Sequence, residues 1–95
     1  MLDGTYITAI RTAGGAALAT RLLAPPGARV LTILGAGVQG QMHLRLLPRV
    51  RPFAEIRIGS LYFDEAVRLA ATDARARAVE CFEDAVRGAD VVCLC

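Results

Sequence analysis

The 95-residue sequence contains no lysine, and only 5% of its residues are aromatic. All 11 basic residues are arginines, so this sequence offers no lysine that could form a Schiff base or act as an acid. The net charge of +2 is too small to favour a nucleic acid or an anionic membrane as the partner.

Long apolar runs are also missing, since none approaches the roughly 18 residues that a membrane-spanning helix needs. The first residues, 1–4, lack the basic-then-apolar layout of a secretory signal. Hydrophobic residues make up 55% of the sequence, which is typical of one soluble domain with a modest core. We therefore predict a cytoplasmic protein that binds neither membranes nor nucleic acids.

Cysteines are few, and the sequence predicts no disulfide framework from Cys81, Cys93 and Cys95. Cys93 and Cys95 form a C-x-C pair on a predicted strand, where residues two apart share a face and could approach one metal ion. No second Cys/His pair is near in sequence, and His43 is distant. Buried strand thiols are therefore the favoured interpretation, and no metal site is predicted.

The clearest motif is an apolar strand over 29–34 that runs directly into G-x-G-x-x-G. Gly35 allows a sharp turn, Gly37 leaves room for a pyrophosphate near the backbone, and Gly40 lets the next helix pack closely on the sheet. The N–H groups at the start of that helix favour phosphate. The alternative is a glycine-rich turn without a ligand. The predicted cofactor-binding residues of this motif are Gly35, Ala36, Gly37, Val38, Gln39 and Gly40.

Strand and helix patterns alternate along the chain, which predicts a Rossmann-like α/β fold with a doubly wound parallel sheet. The predicted strands are 29–34, 55–58, 78–81 and 90–95 in the order 3-2-1-4, and the predicted helices are 38–47, 64–71 and 82–87. A lead-in strand over 5–8 and a helix over 10–23, capped by Thr8 and ended by Pro25-Pro26-Gly27, precede them. We assign 1–28 to this lead-in and 29–95 to the dinucleotide-binding domain.

The sequence stops inside or just after its fourth predicted strand, where a complete dinucleotide domain needs further strands. We therefore expect a fragment or a truncated product, which by itself is inactive.

Three stretches carry a resemblance: DGTYITAIRTA over 3–13, ILGAGVQ over 33–39 and GADVV over 88–92. They are similar to the ornithine cyclodeaminase/mu-crystallin family, of which this chain resembles a middle portion. The resemblance implies a homodimeric enzyme that uses NAD or NADP. It also implies hydride transfer between the nicotinamide and the α-carbon of an amino acid or cyclic imino acid.

The same resemblance implies roles for residues of the first helix. Arg11 would hold the substrate carboxylate close to the cofactor, for which a planar guanidinium is suited. Thr12 would lie near the phosphates, and Val38 and Gln39 would give backbone contacts to the pyrophosphate. The alternative for Arg11 is an exposed arginine in a first helical turn. The family's catalytic aspartate would lie beyond Cys95, so no catalytic residue is assigned.

Cofactor choice depends on the residue about 20 positions after the glycine motif, where NAD-binding domains carry an acid. That position is Ser60, which is neutral and which we assign to cofactor binding, and Leu61 stands where family members that prefer NADP carry an arginine. We therefore expect both cofactors to be accepted. His43 is interpreted as a structural or partly exposed residue.

Three functions remain open from the sequence. The chain is part of an amino- or imino-acid oxidoreductase or cyclodeaminase, part of a non-catalytic crystallin-like binding protein, or an inactive truncated product.

Overall fold

The computed structural model describes residues 4–24 and 27–95, so Pro25 and Pro26, which were predicted to end the first helix, lie outside the described residues. In chain order the elements are α1 Gly4–Leu23, β1 Val30–Leu34, α2 Val38–Leu46, a 3-10 turn Leu47–Arg49, β2 Glu55–Gly59, α3 Phe63–Ala70, β3 Ala76–Val79, α4 Phe82–Val86 and β4 Val91–Leu94. Among the described residues, no helix combines the length and apolarity needed to cross a membrane.

The four strands form one parallel sheet in the order β3-β2-β1-β4, which confirms the predicted fold class and strand order. Ile33 of β1 pairs with Ile58 of β2 on one side and with Cys93 of β4 on the other. The chain moves outward from β1 to β3 and then returns to β4, so the two halves of the sheet meet between β1 and β4. Ligands of open α/β sheets bind at the carboxyl ends of the strands at such a point.

The core forms because β1 and β2 alternate apolar side chains toward the helices. Leu31, Ile33, Ile56 and Ile58 are fully buried and share one cluster with residues of α2 and α3. On the opposite face, the hydroxyl of the buried Thr32 donates a hydrogen bond of 2.5 Å to the carbonyl oxygen of Ala85 in α4. This bond satisfies a polar group that would be costly to bury alone.

The side chain of Asp90 holds the start of β4 beside β1, and the side chain of Arg57 holds α4 beside β2. The Asp90 carboxylate accepts hydrogen bonds from the backbone N–H groups of Arg29 (2.8 Å) and Val30 (3.0 Å), which lower the pKa of Asp90 from its ordinary value. Asp90 precedes β4, and Val30 begins β1. This carboxylate therefore aligns the starts of β4 and β1, the two strands between which the two halves of the sheet meet.

Arg57 of β2 holds the end of α4. Its Nη1 donates to the carbonyl oxygens of Asp84 (3.5 Å), Ala85 (3.3 Å) and Arg87, while its Nε contacts Glu55 at 2.6 Å. A cation at the carboxyl end of a helix satisfies carbonyl groups and complements the helix dipole.

The predicted lead-in strand over 5–8 is wrong, because these residues lie inside α1, which begins at Gly4, and Thr8 is no helix cap. The β-branched residues of this stretch favour a strand locally, but local propensity is a weak determinant. The sheet contains no residue of 4–24, so no strand pairs with this segment, and α1 packs against α2 instead.

Other element boundaries differ by a few residues. β3 lies over Ala76–Val79 rather than 78–81, and α2 ends at Leu46, with Pro48 inside the following 3-10 turn. β4 is apolar throughout, which is typical of a buried parallel strand, but Val92 is 43% and Leu94 81% exposed. β4 borders β1 on one side only within the described sheet, so its apolar residues are covered less than those of a central strand.

Candidate functional site

The glycine loop joins β1 to α2 at the carboxyl edge of the sheet. Gly35 has a φ of +122°, a conformation that L side chains rarely adopt, and its N–H donates to the carbonyl oxygen of Gly59 at 2.7 Å. A Cβ on Gly35 would also lie only 3.0 Å from the carbonyl oxygen of Cys95. The sharp turn predicted for Gly35 is confirmed, and the turn is enclosed by the ends of β2 and β4.

Gly37 and Gly40 differ in what surrounds them. Gly37 is the N-cap of α2 with φ −79° and ψ −156°, and a Cβ placed there would meet nothing within 4 Å. A Cβ on Gly40 would overlap the carbonyl oxygen of Gly35 and lie 2.9 Å from its carbonyl carbon. The close packing predicted for Gly40 is therefore confirmed, while the space beside Gly37 is open.

The first turn of α2 offers backbone donors to this open space. The first hydrogen bond within the turn runs from the N–H of Gln41 to the carbonyl oxygen of Gly37 (3.0 Å). In the part of the chain that the structure describes, the N–H groups of Val38, Gln39 and Gly40 have no protein acceptor, as helix geometry requires. The turn contains no acidic residue, so its electrostatics favour an anion.

The side chain of Gln39 adds a polar atom to this turn. Its Oε1 is buried and lacks a hydrogen-bond donor among the described residues. A buried acceptor without a partner is unusual in a folded protein. A hydroxyl group of a bound ligand could donate to it.

α1 and α2 lie side by side and run in the same direction. Ala13 of α1 packs against Met42 of α2, and Arg51, which follows α2, donates to the carbonyl oxygen of Arg21 near the end of α1 at 2.7 Å. The amino-terminal ends of both helices therefore face the carboxyl edge of the sheet.

The parallel alignment of α1 and α2 determines where Arg11 and Thr12 lie relative to the glycine loop. Ala13 lies level with Met42, and both helices rise about 1.5 Å per residue. Arg11 and Thr12 therefore lie level with the first turn of α2, near Gly40 along the helix axis. Both are exposed. Neither donates a hydrogen bond to the glycine loop among the described residues, so their assigned roles stay predictions.

Ser60 follows β2 on the other side of the glycine loop. It is buried, and its Oγ accepts a hydrogen bond from the backbone N–H of Tyr62 at 3.1 Å. Leu61 and Tyr62 are 85% and 68% exposed. The Ser60 hydroxyl therefore shapes the loop, and its hydrogen is still available as a donor.

A cleft of about 580 Å³ separates α2 from α3 and reaches the glycine loop at Ala36. Glu65 lies in the first turn of α3, and Arg68 follows one turn later on the same helix. Both line the cleft together with Arg45, Arg49, Arg75 and Asp73, so arginines predominate among its charged residues.

Two residues near the loop were not predicted as site residues. His43 is buried at 3% exposure, and its Nδ1 lies 2.7 Å from the carbonyl oxygen of Gln39 and 3.5 Å from Cys95 Sγ. Partial burial and the neighbouring Cys93 raise the pKa of Cys95 to about 11. The expectation of buried strand thiols is wrong, because Cys93 is only half-buried and Cys95, which follows the last residue of β4, is exposed.

No local pattern identifies these two residues, since 52 positions of sequence separate them. In the described parts of the chain, no group of three or more His, Cys, Asp or Glu side chains is arranged to hold a metal ion.

The model of the ornithine cyclodeaminase/mu-crystallin family matches residues 1–95. The chain belongs to this family. Ketimine reductase mu-crystallin of Mus musculus is 42% identical over 93 residues, which cover 97% of this chain and 30% of the mouse protein. NAD(P)H-dependent anabolic L-arginine dehydrogenase DauB of Pseudomonas aeruginosa is 35% identical over 97 residues, or 100% of this chain and 31% of that protein.

A solved structure with the same fold is Thermococcus litoralis Δ1-pyrroline-2-carboxylate reductase in complex with NADH and L-proline. It has a TM-score of 0.87 and 27% identity, covering 96% of this chain and 30% of that one. Iminosuccinate reductase of Paracoccus denitrificans in complex with NAD+ has a TM-score of 0.80 and 30% identity, covering 96% of this chain and 29% of that one. The predicted family is confirmed, and the chain spans about 30% of the length of the curated relatives it matches.

Proposed function

We propose that the protein carrying this chain binds NAD or NADP at the glycine loop. We also propose that it transfers a hydride between the nicotinamide and the α-carbon of an amino acid or cyclic imino acid. The observation that carries the proposal is the open space at Gly37, directly beside the unpaired N–H groups of α2. The names of the relatives support the same chemistry, because they include a ketimine reductase and an NAD(P)H-dependent dehydrogenase.

The residues at the loop fit a dinucleotide. A pyrophosphate needs backbone donors and space without a side chain, and both occur between Gly37 and Gly40. The buried Oε1 of Gln39 could accept a hydrogen bond from a ribose hydroxyl. When bound, the nicotinamide supplies the hydride donor or acceptor.

Substrate binding is assigned to Arg11. Its guanidinium can hold a carboxylate with two parallel hydrogen bonds, which would fix the α-carbon of an amino or imino acid. The parallel register of α1 and α2 supports this assignment, because it brings Arg11 to the level of the phosphate-binding turn. Thr12, next to it, is assigned to the phosphates. A cytoplasmic location and a homodimer are part of the same proposal.

Binding is tested by titrating NADH fluorescence with the complete natural protein and with Gly37→Val. The branched side chain would fill the open space, and we expect NADH affinity to fall at least about tenfold, or about 1.4 kcal/mol. The cost to folding stays near 1 kcal/mol, because valine is a poor N-cap residue. Gly27→Val is the matched control, since a Cβ at the exposed Gly27 also meets nothing within 4 Å, and Gly27 precedes β1 at the opposite edge of the sheet.

Turnover is tested separately with cyclic ketimines and NADH or NADPH. Consumption of reduced cofactor supports the oxidoreductase, whereas binding without turnover would favour a crystallin-like binding protein.

Unchanged NADH affinity in Gly37→Val would place the phosphates elsewhere and reject the proposed site.

A further inference from the structure

A buried histidine connects the first turn of α2 to the end of β4. His43 is 3% exposed and lies one turn after Gln39 on the same helix. Its Nδ1 is 2.7 Å from the Gln39 carbonyl oxygen and 3.5 Å from Cys95 Sγ. These contacts lie directly behind the glycine loop, where the two halves of the sheet meet.

The first contact has a fixed direction. A carbonyl oxygen only accepts hydrogen bonds, so Nδ1 carries a proton and donates it to Gln39. The Gln39 carbonyl and the Gly40 N–H belong to one peptide unit, which is planar and rigid. Within α2 this carbonyl also accepts the helical hydrogen bond from the His43 backbone N–H, so the side chain adds a second bond that further fixes the direction of the Gly40 N–H, one of the unpaired donors of the turn.

The second contact ties the imidazole to the sheet. The Cys95 backbone N–H donates to the Leu34 carbonyl oxygen at 2.8 Å, and Cys95 packs against Gly35. The thiol is protonated at neutral pH, because its pKa is raised to about 11. A neutral thiol beside the ring limits lateral movement of His43 without adding charge near the phosphate-binding turn.

We propose that His43 is a positioning residue for the dinucleotide: by holding the Gln39 carbonyl, it keeps the Gly40 N–H directed toward the phosphate. This inference rests on the proposed function. His43 touches neither substrate nor cofactor in this role and acts only through the backbone.

The test compares His43→Asn with His43→Leu in the complete natural protein. The two side chains have the same shape, but asparagine can place an amide nitrogen where Nδ1 lies, whereas leucine places a methyl group there. NADH dissociation constants are measured by fluorescence at a temperature at which circular dichroism shows every variant to be folded. We expect His43→Leu to raise the dissociation constant at least tenfold and His43→Asn to stay within threefold of the natural protein.

If His43 had only a structural role, each variant would lose NADH affinity in proportion to its loss of stability. Higher NADH affinity in His43→Asn than in His43→Leu, without a matching rise in melting temperature, therefore supports a positioning role. Equal NADH affinity in both variants and the natural protein would overturn the inference, and equal weakening in both would do the same. If His43→Leu does not fold, His43→Gln replaces it, because its amide lies one bond farther out and should also fail to position Gln39. Failure of the natural protein to bind NADH would instead reject the proposed function.

Discussion

The carbonyl oxygen of Gly35 occupies the position that a Cβ on Gly40 would need. The two residues lie at opposite ends of the glycine motif, yet they are in direct contact because the loop folds back on the first turn of α2. The spacing of the motif is therefore a packing requirement between Gly35 and Gly40. Gly37, between them, has no such contact, because a Cβ placed there would meet nothing within 4 Å.

Replacing Gly40 with alanine should destabilise the fold. The added methyl group forces the loop and α2 apart, and overpacking of this kind costs about 1–3 kcal/mol. Gly14→Ala in α1 is the matched control, because a Cβ there meets nothing within 4 Å, and alanine in a helix gains about 1 kcal/mol over glycine. Urea unfolding should show changes of opposite sign. Equal stabilisation by both substitutions would contradict the contact between Gly35 and Gly40.

Asp90 should make folding stability dependent on acid pH. Its pKa is lowered by the Arg29 and Val30 backbone N–H groups, so its contribution is present above the pKa of the unfolded chain and is lost as pH falls through the lower folded value. Asp90→Asn keeps an acceptor oxygen but removes the charge. The difference in urea midpoint between the natural protein and Asp90→Asn should therefore be largest near neutral pH and shrink toward pH 2. A difference that is constant over this range would show that the Asp90 charge makes no contribution.

Cys95 should react slowly with iodoacetamide at neutral pH. Only the thiolate is a good nucleophile, and with the pKa of Cys95 raised to about 11 its population is small at pH 7. Its alkylation rate, followed by mass spectrometry of the Cys95 peptide, should rise about tenfold per pH unit from pH 7 to 9. Rapid alkylation that is independent of pH would contradict the raised pKa.

The complete natural protein should bind NADH and NADPH with affinities within about tenfold, or roughly 1.4 kcal/mol. Ser60 is neutral, and its Oγ accepts a hydrogen bond from the Tyr62 N–H, so it neither repels nor strongly attracts a 2′-phosphate. Fluorescence titration of each cofactor measures the ratio. A preference of a hundredfold in either direction would mean that a residue outside 59–63 sets the choice.

Two substitutions test which residue sets this ratio. Leu61→Arg should favour NADPH, because a guanidinium binds the 2′-phosphate, and Ser60→Asp should favour NADH, because a carboxylate repels that phosphate. If neither substitution changes the ratio, the adenosine does not lie at the end of β2.

The sequence by itself determined the central strands, the turn at Gly35 and the sheet order. These features depend on local properties: apolar residues in short runs, glycines at fixed spacing, and the right-handed connection between parallel strands. The family was also evident from short motifs, because ILGAGVQ and DGTYITAIRTA are contiguous in sequence.

The tertiary structure decided what depends on distant residues. The segment over 5–8 is helical because it has no strand partner in the sheet, which its own β-branched residues do not reveal. Asp90 contacts Val30, 60 positions away, and His43 meets Cys95 across 52 positions. Such contacts leave no periodic pattern in the sequence. They arise only when the parallel sheet brings the start of β4 beside β1 and the end of β4 beside the glycine loop.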